Sequence, residues 1–195
     1  METRQNPVLS KSIILVILLS LGYWTFLFFS SEMHIVFDSI SYQNSGKRIY
    51  TQGWIEHFRT GPNREPLYLY MIAISMQLAD FLSVQYQTIQ KILQILVMLI
   101  SQIMLWRILA RLKIRPGIIT FVLLYWGLSP AINNSALSLF SEIATYPFVL
   151  AIIFISILGY QSIKKNKLRR SLVYGLILGL LFIFVTFVKA LFGYI

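Results

Sequence analysis

Five ionisable residues have the types and placement that chemistry requires. Asp38, Glu65 and Glu142 supply carboxylates, and Arg64 and Lys189 supply cations. A carboxylate within hydrogen-bond reach of a hydroxyl takes up its proton. A guanidinium or ammonium close by offsets negative charge on a leaving group. Each residue also has a plainer role. Asp38 could be a solvated loop residue or the N-cap of a following helix, and Glu65 could pair with Arg64 or Arg59. Glu142, after Ser141, suits the first turn of a helix, and Lys189 suits the end of a span, where lysine snorkels to the interface. Other chemistries lack their parts. There is no cysteine, which excludes thiol catalysis, disulfides and thiolate metal sites. His34 and His57 are 23 residues apart in sequence, a spacing that gives no support to a metal site. No phosphate-binding glycine loop and no Ser-His-Asp order occurs.

The elements that must position these residues follow from composition. Of 195 residues, 57% are hydrophobic and 12% charged, and mean hydropathy is +0.70. A soluble domain carries about 25% charged residues, so the chain reads as an all-α polytopic membrane protein. The net charge of +10 falls in short clusters between apolar runs. That pattern belongs to cytoplasmic loops rather than to a nucleic-acid-binding face. Ser12–Ser30, Gly117–Phe140, Ile143–Ile163 and Ser171–Val188 have the length and apolarity of spanning helices. Thr88–Leu109 is a fifth span whose Gln94 and Gln102 point to helix–helix contact rather than lipid. The first span has no small-residue cleavage site, so it reads as a retained anchor.

Leu67–Leu82 is short and contains Gln77 and Asp80. If it does not cross, five crossings place the N-terminus and the basic clusters Arg107–Arg115 and Lys164–Arg170 in the cytoplasm, as the positive-inside rule requires. On that topology eleven of the 17 Lys and Arg residues lie inside, and six of the seven acidic residues lie outside. Residues 31–87 then form one long extracytoplasmic loop with interfacial helices, beyond the usual loop length of about 12–15 residues. Tyr50, Trp54 and Phe58 recur at i+4, which predicts an aromatic stripe on one helix of this loop; Gly46 and Gly53 weigh against that helix. Thr60-Gly61-Pro62-Asn63 marks a turn before Arg64-Glu65-Pro66, and Ser129–Asn134 reads as another. Asp38, Glu65, Glu142, Arg64 and Lys189 are expected to converge on one cavity at the outer face.

The order of these features resembles the GT-C fold glycosyltransferases. Phe37-Asp38-Ser39-Ile40-Ser41-Tyr42 is similar to the opening of their first loop. Arg64-Glu65-Pro66-Leu67-Tyr68 resembles their Pro-Leu-Tyr entry after it. Leu139-Phe140-Ser141-Glu142-Ile143 is similar to an acidic element before the next helix, and Gly175–Gly179 leading to Lys189 resembles a Gly-rich span with a basic end. The nearest style is protein-mannosyltransferase-like and lipid A aminoarabinose-transferase-like. Glu65 follows its basic neighbour where the aminoarabinose relatives put the acid first, and no proline follows Lys189. The resemblance implies that residues 1–195 are one membrane domain, the N-terminal portion of such a module, incomplete as a catalyst without a further portion or a second chain. It implies an integral plasma or inner membrane enzyme that moves a sugar from a polyprenyl-phosphate donor to an acceptor on the extracytoplasmic face. Asp38 would be the base, Glu65 a second acid or metal partner, and Arg64 and Lys189 the phosphate contacts, with Glu142 a further candidate. Relatives differ in using a divalent metal, so none is assigned. The competing class is a non-enzymatic transporter, flippase subunit or scaffold. A transporter would hold its ionisable groups near the midplane, whereas these spans are nearly charge-free at their centres.

Overall fold

The computed structural model describes residues 11–59 and 65–189. Arg64, one of the expected phosphate contacts, lies outside the described residues. The described residues form helices: α1 (Lys11–Ser30), α2 (Asp38–Gln52), α3 (Trp54–Arg59), α4 (Pro66–Leu82), α5 (Tyr86–Arg111), α6 (Pro116–Leu128), α7 (Pro130–Leu137), α8 (Glu142–Lys164) and α9 (Leu168–Val188). Proline opens α4, α6 and α7, where its missing N–H costs nothing and its fixed φ favours the first turn. Four helices, α1, α5, α8 and α9, are long and apolar enough to cross a membrane, and the count is five where the bent pair α6–α7 is taken as one span. The chain is an all-α polytopic membrane protein.

Side-chain contacts give the helix directions. Thr120 meets Ser12 at the starts of α6 and α1, so these two run together. Gln102 reaches Ser20, and Lys91 reaches the carbonyls of Phe28 and Ser31; α5 therefore runs against α1. Arg111 bonds Gln161 at the far ends of α5 and α8, and Lys189 returns to Glu142. So α1, α6 and α9 point one way and α5 and α8 the other, the alternation that five crossings require.

The expected single span over Gly117–Phe140 is instead two helices bent by 43°. Pro130 is the cause, since it cannot donate to the ladder and pushes Ser129 into extended backbone. Ser129 has ψ 119°, and the stretch expected to be a turn, residues 129–134, begins α7. Polar side chains bond carbonyls at and before the break: Trp24 bonds the Gly127 carbonyl at 2.8 Å, and Gln102 bonds that of Leu123 at 3.0 Å. Gly127 must be glycine, because a Cβ there would stand 3.2 Å from the Gln102 amide and closer still to Ser20. Along α5, Gln90, Gln94, Ser101 and Gln102 are fully buried. The three glutamines hold helices together by hydrogen bonds where lipid offers no hydrophobic drive, while Ser101 bonds the Val97 carbonyl within α5.

The loop after α1 carries α2, α3 and α4 among its described residues, as the expected helices of that loop. The aromatic stripe expected over Tyr50–Phe58 is divided, because Gly53 adopts φ 85°, open to glycine at no steric cost. Trp54 and Phe58 remain together on α3, edge to face at 6.3 Å, while Tyr50 ends on α2 and bonds Asp80. Helix α2 lies along α4 in the same direction: Tyr42 meets Tyr68, Gly46 meets Ile72, and Tyr50 meets Asp80. Gly46 lets the two backbones close, since a Cβ there would fall 2.5 Å from Ile72. The start of α4 lies beside the start of α8, and its end beside the start of α5. Both ends of α4 thus sit at one end of the bundle, and it does not cross.

Candidate functional site

A short backbone pairing sets the site. The His34 N–H bonds the Leu137 carbonyl at 3.1 Å, and the Leu139 N–H bonds the His34 carbonyl at 3.3 Å. This pins the start of the loop to the link between α7 and α8, so the first turns of α2 are presented to Ser141. Beneath them Tyr42, Tyr68, Leu69, Ile72, Leu139, Ala144 and Val188 pack into one apolar cluster, which fixes four helices around the polar groups above.

Those groups form a continuous chain. The Tyr42 hydroxyl donates to Glu65 at 3.3 Å and shares a 3.1 Å bond with Ser141. The Lys189 ammonium donates to Ser141 at 3.3 Å and to Glu142 at 2.7 Å. Tyr42 and Ser141 are buried, whereas Glu142 is about half exposed in its side chain, at 48%. Glu65 is placed by Pro66: with ψ 120° it stands extended at the head of α4. Lys189 is placed by the end of α9, extended at φ −147°. Burial disfavours the Lys189 charge, but the hydrogen bond and field of Glu142, with Tyr42 and Glu65 beyond, outweigh it and hold the ammonium above the ordinary lysine range.

Three of the five expected residues, Glu65, Glu142 and Lys189, are thus brought together from three helix ends. Asp38 opens α2 rather than capping it, because Phe37 holds the cap position. Asp38 is exposed and stands one turn before Tyr42, on the same side of the helix. Arg59 pairs with Glu56 at 3.7 Å. Tyr42 and Ser141 were absent from the sequence-based candidates. Their signal was adjacency alone, Tyr42 one turn after Asp38 and Ser141 beside Glu142.

Two clefts lie beside this network. One, of about 420 Å³ between α2 and α4, is lined by Gln43, Asn44, Lys47, Tyr50, Asp80 and Tyr86. The Gln43 amide donates to the Tyr86 hydroxyl at 2.7 Å across its mouth. The other, of about 460 Å³, opens on another side of α2. Among the described residues no three His, Asp or Glu side chains come together to hold a metal ion. Chemically, the arrangement offers a carboxylate bonded to a buried phenol, a cation held against a second carboxylate, and an exposed carboxylate one turn away. No protein-family model, curated protein or solved structure matches the chain. Fold and site together define a class, a helical polytopic membrane protein with a polar network at one end of its bundle.

Proposed function

We propose that this protein is a membrane glycosyltransferase that moves a sugar from a polyprenyl-phosphate donor to an acceptor at the extracytoplasmic face. The observation that carries the reading is the chain Glu65–Tyr42–Ser141–Lys189–Glu142. It joins acids and a cation at the bundle end away from the basic clusters, where a lipid-linked donor presents its headgroup. In this reading Lys189 takes the donor phosphate, exchanging one anionic partner for another, and Arg64 assists. Asp38, exposed to solvent, receives the acceptor hydroxyl proton while that oxygen attacks the anomeric carbon and the lipid phosphate leaves. Glu65 holds the Tyr42 hydroxyl, and Glu142 keeps Lys189 charged until the donor arrives. The planar polar groups and tyrosines of the α2–α4 cleft suit sugar hydroxyls.

The bent α6–α7 pair favours a second reading, transport, because broken spans expose carbonyls to cargo. Here Trp24, Asn133 and Gln102 bond the carbonyls at Gly127 and Leu123, which leaves transport the weaker alternative.

A photoreactive polyprenyl-phosphate sugar, incubated with the protein in proteoliposomes, tests the proposal. It should crosslink to residues of α2, α4 or the α8–α9 ends, and Lys189→Met should cut the yield by about tenfold. Crosslinking spread evenly over the lipid-facing helices, unchanged in Lys189→Met, would defeat the reading.

A further inference from the structure

The cleft on the other side of α2 is built for an anion. Ser41, Ser45 and Arg48 fall at i, i+4 and i+7, one stripe on the helix and about 100° round from the Tyr42 face. All three line the cleft, with Asn44 beside them, His57 from α3 as the far wall, and Phe37 and Ile40 at the apolar end. Arg48 makes no ion pair among the described residues. No carboxylate lines the cleft. The hydroxyls of Ser41 and Ser45 are also uncommitted among the described residues. Ser20, Ser30, Ser75 and Ser101 each bond the carbonyl four residues back, the usual fate of a helical serine. The cleft therefore holds one guanidinium, two hydroxyls and an amide with donors to spare.

Its surroundings are apolar. Phe37 is 88% exposed on a backbone at φ 51°, a conformation that costs a non-glycine residue of order 1–3 kcal/mol. Val36, Trp54, Ile55 and Phe58 are also exposed. A polar cup with an apolar rim, at the end of a membrane bundle, matches a molecule with a phosphate head and hydrocarbon tails. We propose that this cleft binds the phosphodiester of a bilayer phospholipid in the leaflet that α2 faces. Arg48 pairs with the phosphate charge, Ser41, Ser45 and Asn44 donate to its oxygens, and the acyl chains leave over Phe37 and Ile40. Such a lipid would brace α2 and α3 against the bilayer without entering the Tyr42 network.

Native mass spectrometry of the full chain in mild detergent tests this, with phosphatidylglycerol as the probe, diacylglycerol as the phosphate-free control and inorganic phosphate as the tail-free one. Phosphatidylglycerol should be retained and the other two not. Arg48→Gln should weaken retention by about tenfold or more, while Arg59→Gln, on α3 and outside the cleft, should stay within about twofold of wild type. If Arg48→Gln fails to fold by gel filtration, the Ser41→Ala/Ser45→Ala pair gives the reading instead, with a loss of about threefold or more. Equal retention in wild type and the folded cleft variant would overturn the proposal. So would diacylglycerol binding as well as phosphatidylglycerol, or inorganic phosphate binding as tightly, which would make this a free-anion site. Donor crosslinking should be unaffected by Arg48→Gln, so this proposal and the glycosyltransferase reading can fail separately.

Discussion

Removing one oxygen tests how the polar network is assembled. Tyr42→Phe keeps the ring against Tyr68 but loses the bonds to Glu65 and Ser141. Ser141 would keep only Lys189, and the variant should be less stable by about 1–3 kcal/mol, read as a lower melting temperature in detergent. Lys189 gives a pH test with a definite sign. Its folded pKa lies above the unfolded value of about 10.4. Its contribution to stability is therefore complete at neutral pH and is lost as pH climbs past that value through the folded pKa. Lys189→Met should remove that alkaline loss, and a denaturation series from pH 8 to 11 would show it. His57 carries the opposite sign: burial, then the Arg48 charge, lowers its pKa. Its contribution is present above about 6.5 and fades as pH falls below that value. The acids and Lys189 were legible in the sequence because charges in so apolar a chain are rare. Tyr42 and Ser141 were not, since a tyrosine and a serine in a membrane protein carry no mark until the fold sets a carboxylate against one and an ammonium against the other.

Glycine and proline decide the elements. Gly46, Gly53, Gly127 and Pro130 are all visible in the sequence, yet they do three different things. Gly53 breaks a helix because its φ is positive, and Pro130 bends a span because it lacks a donor. Gly46 and Gly127 sit inside helices and serve as contact points, for Ile72 and for Ser20 with Gln102. Sequence alone gives the shared cost of glycine in a helix but not the neighbour that needs the space. Gly46→Leu should drive α2 off α4 and destabilise the protein by about 1–3 kcal/mol, whereas Gly22→Ala on α1, with open space around it, should be neutral or slightly stabilising. Melting temperatures of the two variants in the same detergent would compare them. The break between α2 and α3 follows the same rule. Aromatic periodicity at i+4 suggested one helix, and the backbone of a single residue overrode it.

At the scale of the molecule, the alternating helix directions agree with the count drawn from charge. Apolar length found the spans, and the positive-inside rule ranked the topologies. Neither foresaw α2 and α4 lying parallel at one end, because that packing rests on contacts between residues far apart in sequence. Cysteines introduced at Lys113 and Lys167 should react only from the cytoplasmic side; labelling of either from outside would invert the bundle and move the network inward. The proposed activity is transfer of a sugar from a lipid-linked donor at the network end. Its most direct measurement is transfer from radiolabelled polyprenyl-phosphate sugars in membranes of the native cells, which hold any further chain the catalyst needs, comparing wild type, Asp38→Asn and a Glu32→Gln control. Wild type and control should transfer, and Asp38→Asn should fall by about 10²–10⁴-fold with membrane insertion unchanged. No transfer from any donor, or equal transfer by wild type and Asp38→Asn, would contradict it.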